Sequence, residues 1–141
     1  MKRTAKANWL GDLQTGLGSL DTQSGILVNS PYSFKTRFGD LNGTNPEELL
    51  AASHAGCFTM SVSLVLTEAG FTAGELDTEA IVELDMSQFK ISSIHLNLKA
   101  APIPGVSRSV FEALLEVAKA ECIISNALSV PISVSVEHSE A

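Results

Sequence analysis

Polar and apolar positions along the chain predict short strands, one long helix, two more strands, a second helix and a closing strand. Ala5, Ala7 and Trp9 alternate with Thr4, Lys6 and Asn8, which predicts a first strand with Trp9 on its inner face. Residues 17–22 and 25–29 predict two further strands. Gly11, Gly16, Gly18, Gly25 and Gly39 punctuate the region as in a β-meander. In 32–38 (Y-S-F-K-T-R-F) Tyr32, Phe34, Thr36 and Phe38 alternate with Ser33, Lys35 and Arg37, so this segment also reads as a strand, with Arg37 on its polar face.

Residues 44–70 follow another rule. Asn45 suits a helix cap, Pro46 the first helical position, and Glu47 and Glu48 the positive end of the helix dipole, with Glu48 three residues after Asn45 in capping-box spacing. From 49 to 66 there is no Lys, Arg, Asp or Glu, and Ala51, Ala52, Ser53, Ala55 and Gly56 fall on every side of a helical wheel. This predicts a helix buried all round that stops at Gly70. A helix of about 25 residues is roughly 37 Å long, more than a domain of this size needs. Its small residues would let a second backbone approach, so it reads as the centre of a homodimer; the alternative is the core helix of a monomeric two-layer domain.

Beyond Gly70, 79–86 places Ala80, Val82, Leu84 and Met86 on one face. In 91–99 Ile94, Leu96 and Leu98 oppose His95, Asn97 and Lys99. Both read as half-buried antiparallel strands, ended by Pro102, Pro104 and Gly105. Residues 107–122 predict a helix with Ser109 and Glu112 in capping-box spacing and a stripe of Phe111, Leu115, Ala118 and Cys122. Residues 130–136 alternate as a last strand. The expected class is α+β, helices packed on one face of antiparallel sheet, in a single domain spanning 1–141.

Nine basic against sixteen acidic residues in 141 give a net charge of −7, which opposes affinity for nucleic acid or an anionic membrane. Partners are therefore expected to be small molecules or proteins. The start, M-K-R-T-A-K-A-N-W, has basic residues with no apolar stretch behind them, so a cytoplasmic protein is expected. There the two cysteines, Cys57 and Cys122, would be reduced thiols, inert in the core or chemically active.

Cys57 lies in mid-helix, where the dipole gives a thiolate little help, so activation would need a cation. Arg37, just ahead of the helix, is the candidate, and Glu47 could orient it through a bidentate pair. Glu47 is ten residues before Cys57, about 15 Å along the helix, so a site holding both needs long reach or a second subunit. Glu48 is open to the same orienting role as Glu47; in the other reading Cys57 is a small core residue and Arg37 a surface charge. Two thiols on apolar helix faces could pass through sulfenic acid to a disulfide, if the helices pack. His54, three residues before Cys57, would with Cys122 make a three-ligand metal set, a weaker reading without a supporting carboxylate. Phe34, Phe38, Phe58 and Met60 are candidates for an apolar pocket or for ordinary core.

The motifs T-R-F at 36–38, G-T-N-P-E-E-L at 43–49, A-x-x-x-A-G-C-F ending at Phe58, E-A-G-F at 68–71 and A-x-C-x-x-S-x-A-L at 120–128 resemble the OsmC/Ohr family. With A-x-W-x-G-D-L at 7–13 the likeness covers nearly the whole chain, and the position of T-R-F is similar to the OsmC branch. The resemblance implies an intertwined homodimer with antiparallel β-sheets wrapped around long central helices. It also implies a thiol-dependent peroxidase for organic hydroperoxides and, less well, hydrogen peroxide, serving oxidative and osmotic stress defence. Cys57 matches the peroxidatic cysteine, Cys122 the resolving one, and Arg37 and Glu47 the activating pair. An external thiol or dithiol would be the reductant, with no metal and no cofactor. Ile123 departs from the pattern, in which Pro commonly follows the second cysteine. The alternative function is a non-catalytic small-molecule-binding or stress-structural dimer with packed cysteines.

Overall fold

Having no side chain, Gly18 lets two aromatic rings meet across a strand. It lies in β2 (Leu17–Thr22), which pairs antiparallel with β1 (Ala5–Leu10) and β3 (Ser30–Tyr32). Trp9 and Tyr32 are its partners on either side, and their ring centroids are 5.4 Å apart. A Cβ at Gly18 would collide with the Tyr32 ring and stand 2.7 Å from that of Trp9. The computed structural model describes residues 1–138, and this sheet belongs to the first of two units, residues 1–49 and 50 onward. The strand expected at 25–29 is absent; a bend occupies those positions.

The strand expected over 32–38 is also overturned. Only Ser30–Tyr32 pairs as a strand, and α1 (Phe34–Phe38) follows. Ser33 and Thr36 form a reciprocal capping box: Ser33 Oγ accepts from the Thr36 N–H at 3.2 Å, and Thr36 Oγ1 accepts from the Ser33 N–H at 2.8 Å. That pair satisfies helix-start donors which a strand would leave to other partners. Phe34 and Phe38, two apart in an alternation count, are also i and i+4, and their rings meet at 5.1 Å.

The long helix forms as expected, as α2 (Pro46–Glu68). Asn45 Oδ1 accepts from the Glu48 N–H at 2.8 Å, while Glu48 Oε2 receives the Asn45 amide at 3.2 Å, so the box closes side chain to side chain. At the far end Gly70 has φ +85°. The Phe71 N–H reaches the Leu66 carbonyl and the Gly70 N–H that of Thr67, a Schellman ending. The helix is not buried all round within the chain. His54, Phe58, Val62, Val65 and Leu66 are buried on one side, whereas Ser53, Gly56, Met60, Leu64 and Thr67 are exposed. By length and composition alone it could also cross a membrane.

In the second unit β4 (Leu76–Asp85) and β5 (Lys90–Ala100) form an antiparallel hairpin. β6 (Ile132–His138) lies parallel to β5, so the expectation of wholly antiparallel sheet is corrected. The chain between them runs through α3 (Arg108–Glu121) and α4 (Ile123–Ala127), and a helical crossover of this length returns the next strand in the same direction. Ser107, not Ser109, caps α3, and Glu112 instead pairs with Arg108 at 2.9 Å. One apolar cluster joins α2 (Phe58, Val62, Val65, Leu66), β5 (Ile94, Leu96, Leu98) and the α3 stripe ending at Cys122.

Gly70→Ala adds a methyl group that meets nothing within 4 Å, so its cost is that of a left-handed backbone in an alanine. It is expected to lower stability by about 1 kcal/mol, measured by denaturant unfolding.

Candidate active site

The N–H and hydroxyl of Thr44 both donate to the Pro31 carbonyl, at 3.0 and 2.9 Å. The Thr36 hydroxyl reaches the Thr44 carbonyl at 2.9 Å. These bonds tie the loop before α2 to β3 and α1, and Gly43 leaves room for the Thr36 methyl group, which a Cβ would meet at 2.6 Å. Arg37, in the last turn of α1, is thereby set against Glu47, in the first turn of α2.

Arg37 Nη2 donates to Glu47 Oε1 at 2.6 Å, and Nε lies 3.2 Å from both carboxylate oxygens. This is the fork-to-fork geometry that only a guanidinium supplies. The guanidinium also lies 5.0 Å from the Phe38 ring centroid. The Glu47 side chain is 15% exposed and that of Arg37 40%. Partial burial works against ionising Glu47, but hydrogen bonds from Arg37 and the backbone, with the charge of Arg37, outweigh it and hold the carboxyl below its ordinary value. Beside the pair is a cleft of about 290 Å³ lined by Trp9, Leu13, Tyr32, Phe34, Arg37 and Phe38. Of the four apolar-pocket candidates it contains Phe34 and Phe38. Phe58 is instead fully buried core, and Met60 is 75% exposed.

The second unit holds both cysteines as free thiols. Cys57 is partly exposed on α2, and Cys122 is fully buried where α3 gives way to α4. Cys122 belongs to the core cluster and Cys57 packs against it. The break at Cys122 is extended, with φ −64° and ψ 112°, and Ile123 begins α4 with its side chain 76% exposed.

His54, fully buried, places Nε2 2.7 Å from Ser125 Oγ. Burial depresses its pKa, which favours the neutral ring. Among the described residues no three His, Cys, Asp or Glu side chains are grouped to hold a metal ion. Ser125, Trp9 and Tyr32 were not singled out as site residues. Ser125 could have been found from its spacing, three residues after Cys122 as His54 is three before Cys57.

A family model described as OsmC-like protein matches residues 38–137. Peroxiredoxin OsmC of Escherichia coli K12 is 43% identical over 137 residues, covering 96% of this chain and 95% of its own length. Among solved structures, an organic hydroperoxide resistance protein OsmC from Legionella pneumophila is 26% identical, with TM-score 0.66 and 96% of each chain covered. An organic hydroperoxide resistance protein from Elizabethkingia anophelis is also 26% identical, with TM-score 0.69, over 100% of this chain and 99% of that one.

Glu47→Gln is expected to lower stability near neutral pH. Because the folded carboxyl titrates below the ordinary 4.5, the unfolded chain binds more protons across that window. The wild-type advantage is therefore complete above about 4.5 and disappears as pH falls through the depressed folded value. Denaturant midpoints from pH 7 to pH 3 test this.

Ile123→Pro should fold and gain up to about 1 kcal/mol. Its N–H is at the first helical position, and Cys122 already has the extended backbone that a following proline requires. Thermal unfolding of the variant checks it.

Proposed function

Because the chain belongs to the OsmC family, we propose that it is a cysteine-based peroxidase reducing organic hydroperoxides and, less efficiently, hydrogen peroxide. The observation that carries the reading is the Arg37–Glu47 fork beside an aromatic cleft. Glu47 occupies the Nε and Nη2 edge of the guanidinium, so the Nη1 donors remain to hold a thiolate or a peroxide oxygen. The apolar walls favour the carbon part of an organic hydroperoxide over water. The names of the relatives, a peroxiredoxin and two organic hydroperoxide resistance proteins, agree with this chemistry.

In the proposed cycle Arg37, oriented by Glu47, stabilises the Cys57 thiolate. The sulfur attacks the terminal peroxide oxygen; an S–O bond forms, the O–O bond breaks, and the alkoxide takes a proton to leave as alcohol. The Cys122 thiolate then attacks the Cys57 sulfur, forming the disulfide while hydroxide departs and is protonated to water. An external thiol or dithiol returns both cysteines to thiols. No metal or other cofactor enters.

The working form is a cytoplasmic homodimer of single-domain chains, active in oxidative and osmotic stress defence. Its support is the exposed stripe Ser53, Gly56, Met60, Leu64 and Thr67 of α2, a row of small and apolar positions that a second copy would cover. A mass in solution twice the 14.9 kDa of the chain is expected; a monomer in light scattering would remove this part.

Cys57→Ser is expected to abolish turnover of cumene hydroperoxide, and Cys122→Ser to stop at a sulfenic acid trappable by dimedone. Two unreacted thiols in folded wild-type protein after hydroperoxide treatment would instead favour a non-catalytic binding dimer.

A further inference from the structure

The mechanism above uses neither of the two polar side chains that join the cysteine-bearing elements. His54 is three residues before Cys57 on α2, and Ser125 three residues after Cys122 on α4, so each is one helical turn from a thiol. Their 2.7 Å hydrogen bond therefore ties the helix that carries Cys57 to the helix that Cys122 opens. Among the described residues His54 Nδ1 is buried with no hydrogen-bond partner, and Ser125 is the one partner of the ring. Leaving a ring nitrogen unsatisfied has a cost that an apolar residue of similar shape would avoid. Packing alone gives no reason for histidine here.

We propose that His54 and Ser125 form a positioning pair for disulfide formation: their hydrogen bond fixes how α4 presents Cys122 to oxidised Cys57. This rests on the peroxidase reading and assigns the pair to its second half. The first half should be insensitive, since it consumes peroxide at Cys57 before Cys122 takes part, and His54 is fully buried. The second half requires the buried Cys122 sulfur to meet the Cys57 sulfenic sulfur along a defined line, and displacements near 1 Å can cost orders of magnitude in such steps.

The test is a single-turnover reaction with one equivalent of cumene hydroperoxide, quenched with dimedone and read by intact mass, which separates sulfenic acid from disulfide over time. Wild type should form disulfide with little trapped sulfenic acid. In Ser125→Ala the loss of reduced Cys57 should keep the wild-type rate, while disulfide formation slows by about tenfold or more and sulfenic acid accumulates. Ser125→Thr, which retains the hydroxyl, should restore it.

If Ser125→Ala does not fold, His54→Leu combined with Ser125→Ala removes both polar groups together and should give a folded protein with the same selective slowing. Wild-type disulfide kinetics in either folded variant, or equal slowing of both steps, overturns the positioning role. Absence of sulfenic acid and disulfide from wild type overturns the peroxidase reading as well, and is seen before any variant is compared.

Discussion

One face of α2 must be kept from water, and the second unit is built to do so. Phe58, Val62, Val65 and Leu66 lie within one apolar cluster with Ile94, Leu96 and Leu98 of β5 and with Phe111, Leu115 and Ala118 of α3. Fully burying a side chain of this size is worth about 1.5–3 kcal/mol each. The proposed thiol chemistry borrows this order. Cys122 is the last member of the α3 stripe, and Cys57 sits one residue before Phe58, so neither cysteine can move without disturbing packed neighbours.

The first unit achieves positioning by other means. It has little buried apolar surface: of its residues only Gly16, Ser33 and Thr36 are buried, and even Trp9 is only partly covered. Short hydrogen bonds among Ser33, Thr36, Thr44 and Pro31 do the holding. They fix backbone on both sides of the Arg37–Glu47 pair, so the long arginine side chain gives up its rotamer freedom against a frame already set.

What could be read in the sequence follows how local each signal was. The α2 caps, the glycine at its end and the Phe111–Cys122 stripe depend on residues within a few positions of one another, and all took their expected form. Segment 32–38 was misread because Phe34 and Phe38 satisfy both the two-residue and the four-residue period; the Ser33–Thr36 capping box was the deciding signal. The direction of β6 and the expected all-round burial of α2 are long-range properties. The first depends on a crossover, the second on what else covers the helix. Arg37 and Glu47 were legible as a pair, since a fork beside a carboxylate near a helix start is local chemistry. Ser125 and the walls Trp9 and Tyr32 acquire meaning only through contacts made across the fold.

Trp9 is the single tryptophan of the chain, and it is set in the wall of the cleft beside Arg37 with the Tyr32 ring tilted against it at 5.4 Å. Its indole N–H is committed to the Gly11 carbonyl at 3.0 Å, which anchors the chromophore in its strand. Nature has thus placed the molecule's one indole fluorophore where a guest in the cleft would alter its polarity, with a tyrosine close enough to feed it excitation energy. The emission spectrum of the whole protein is, in effect, a local readout of a single wall.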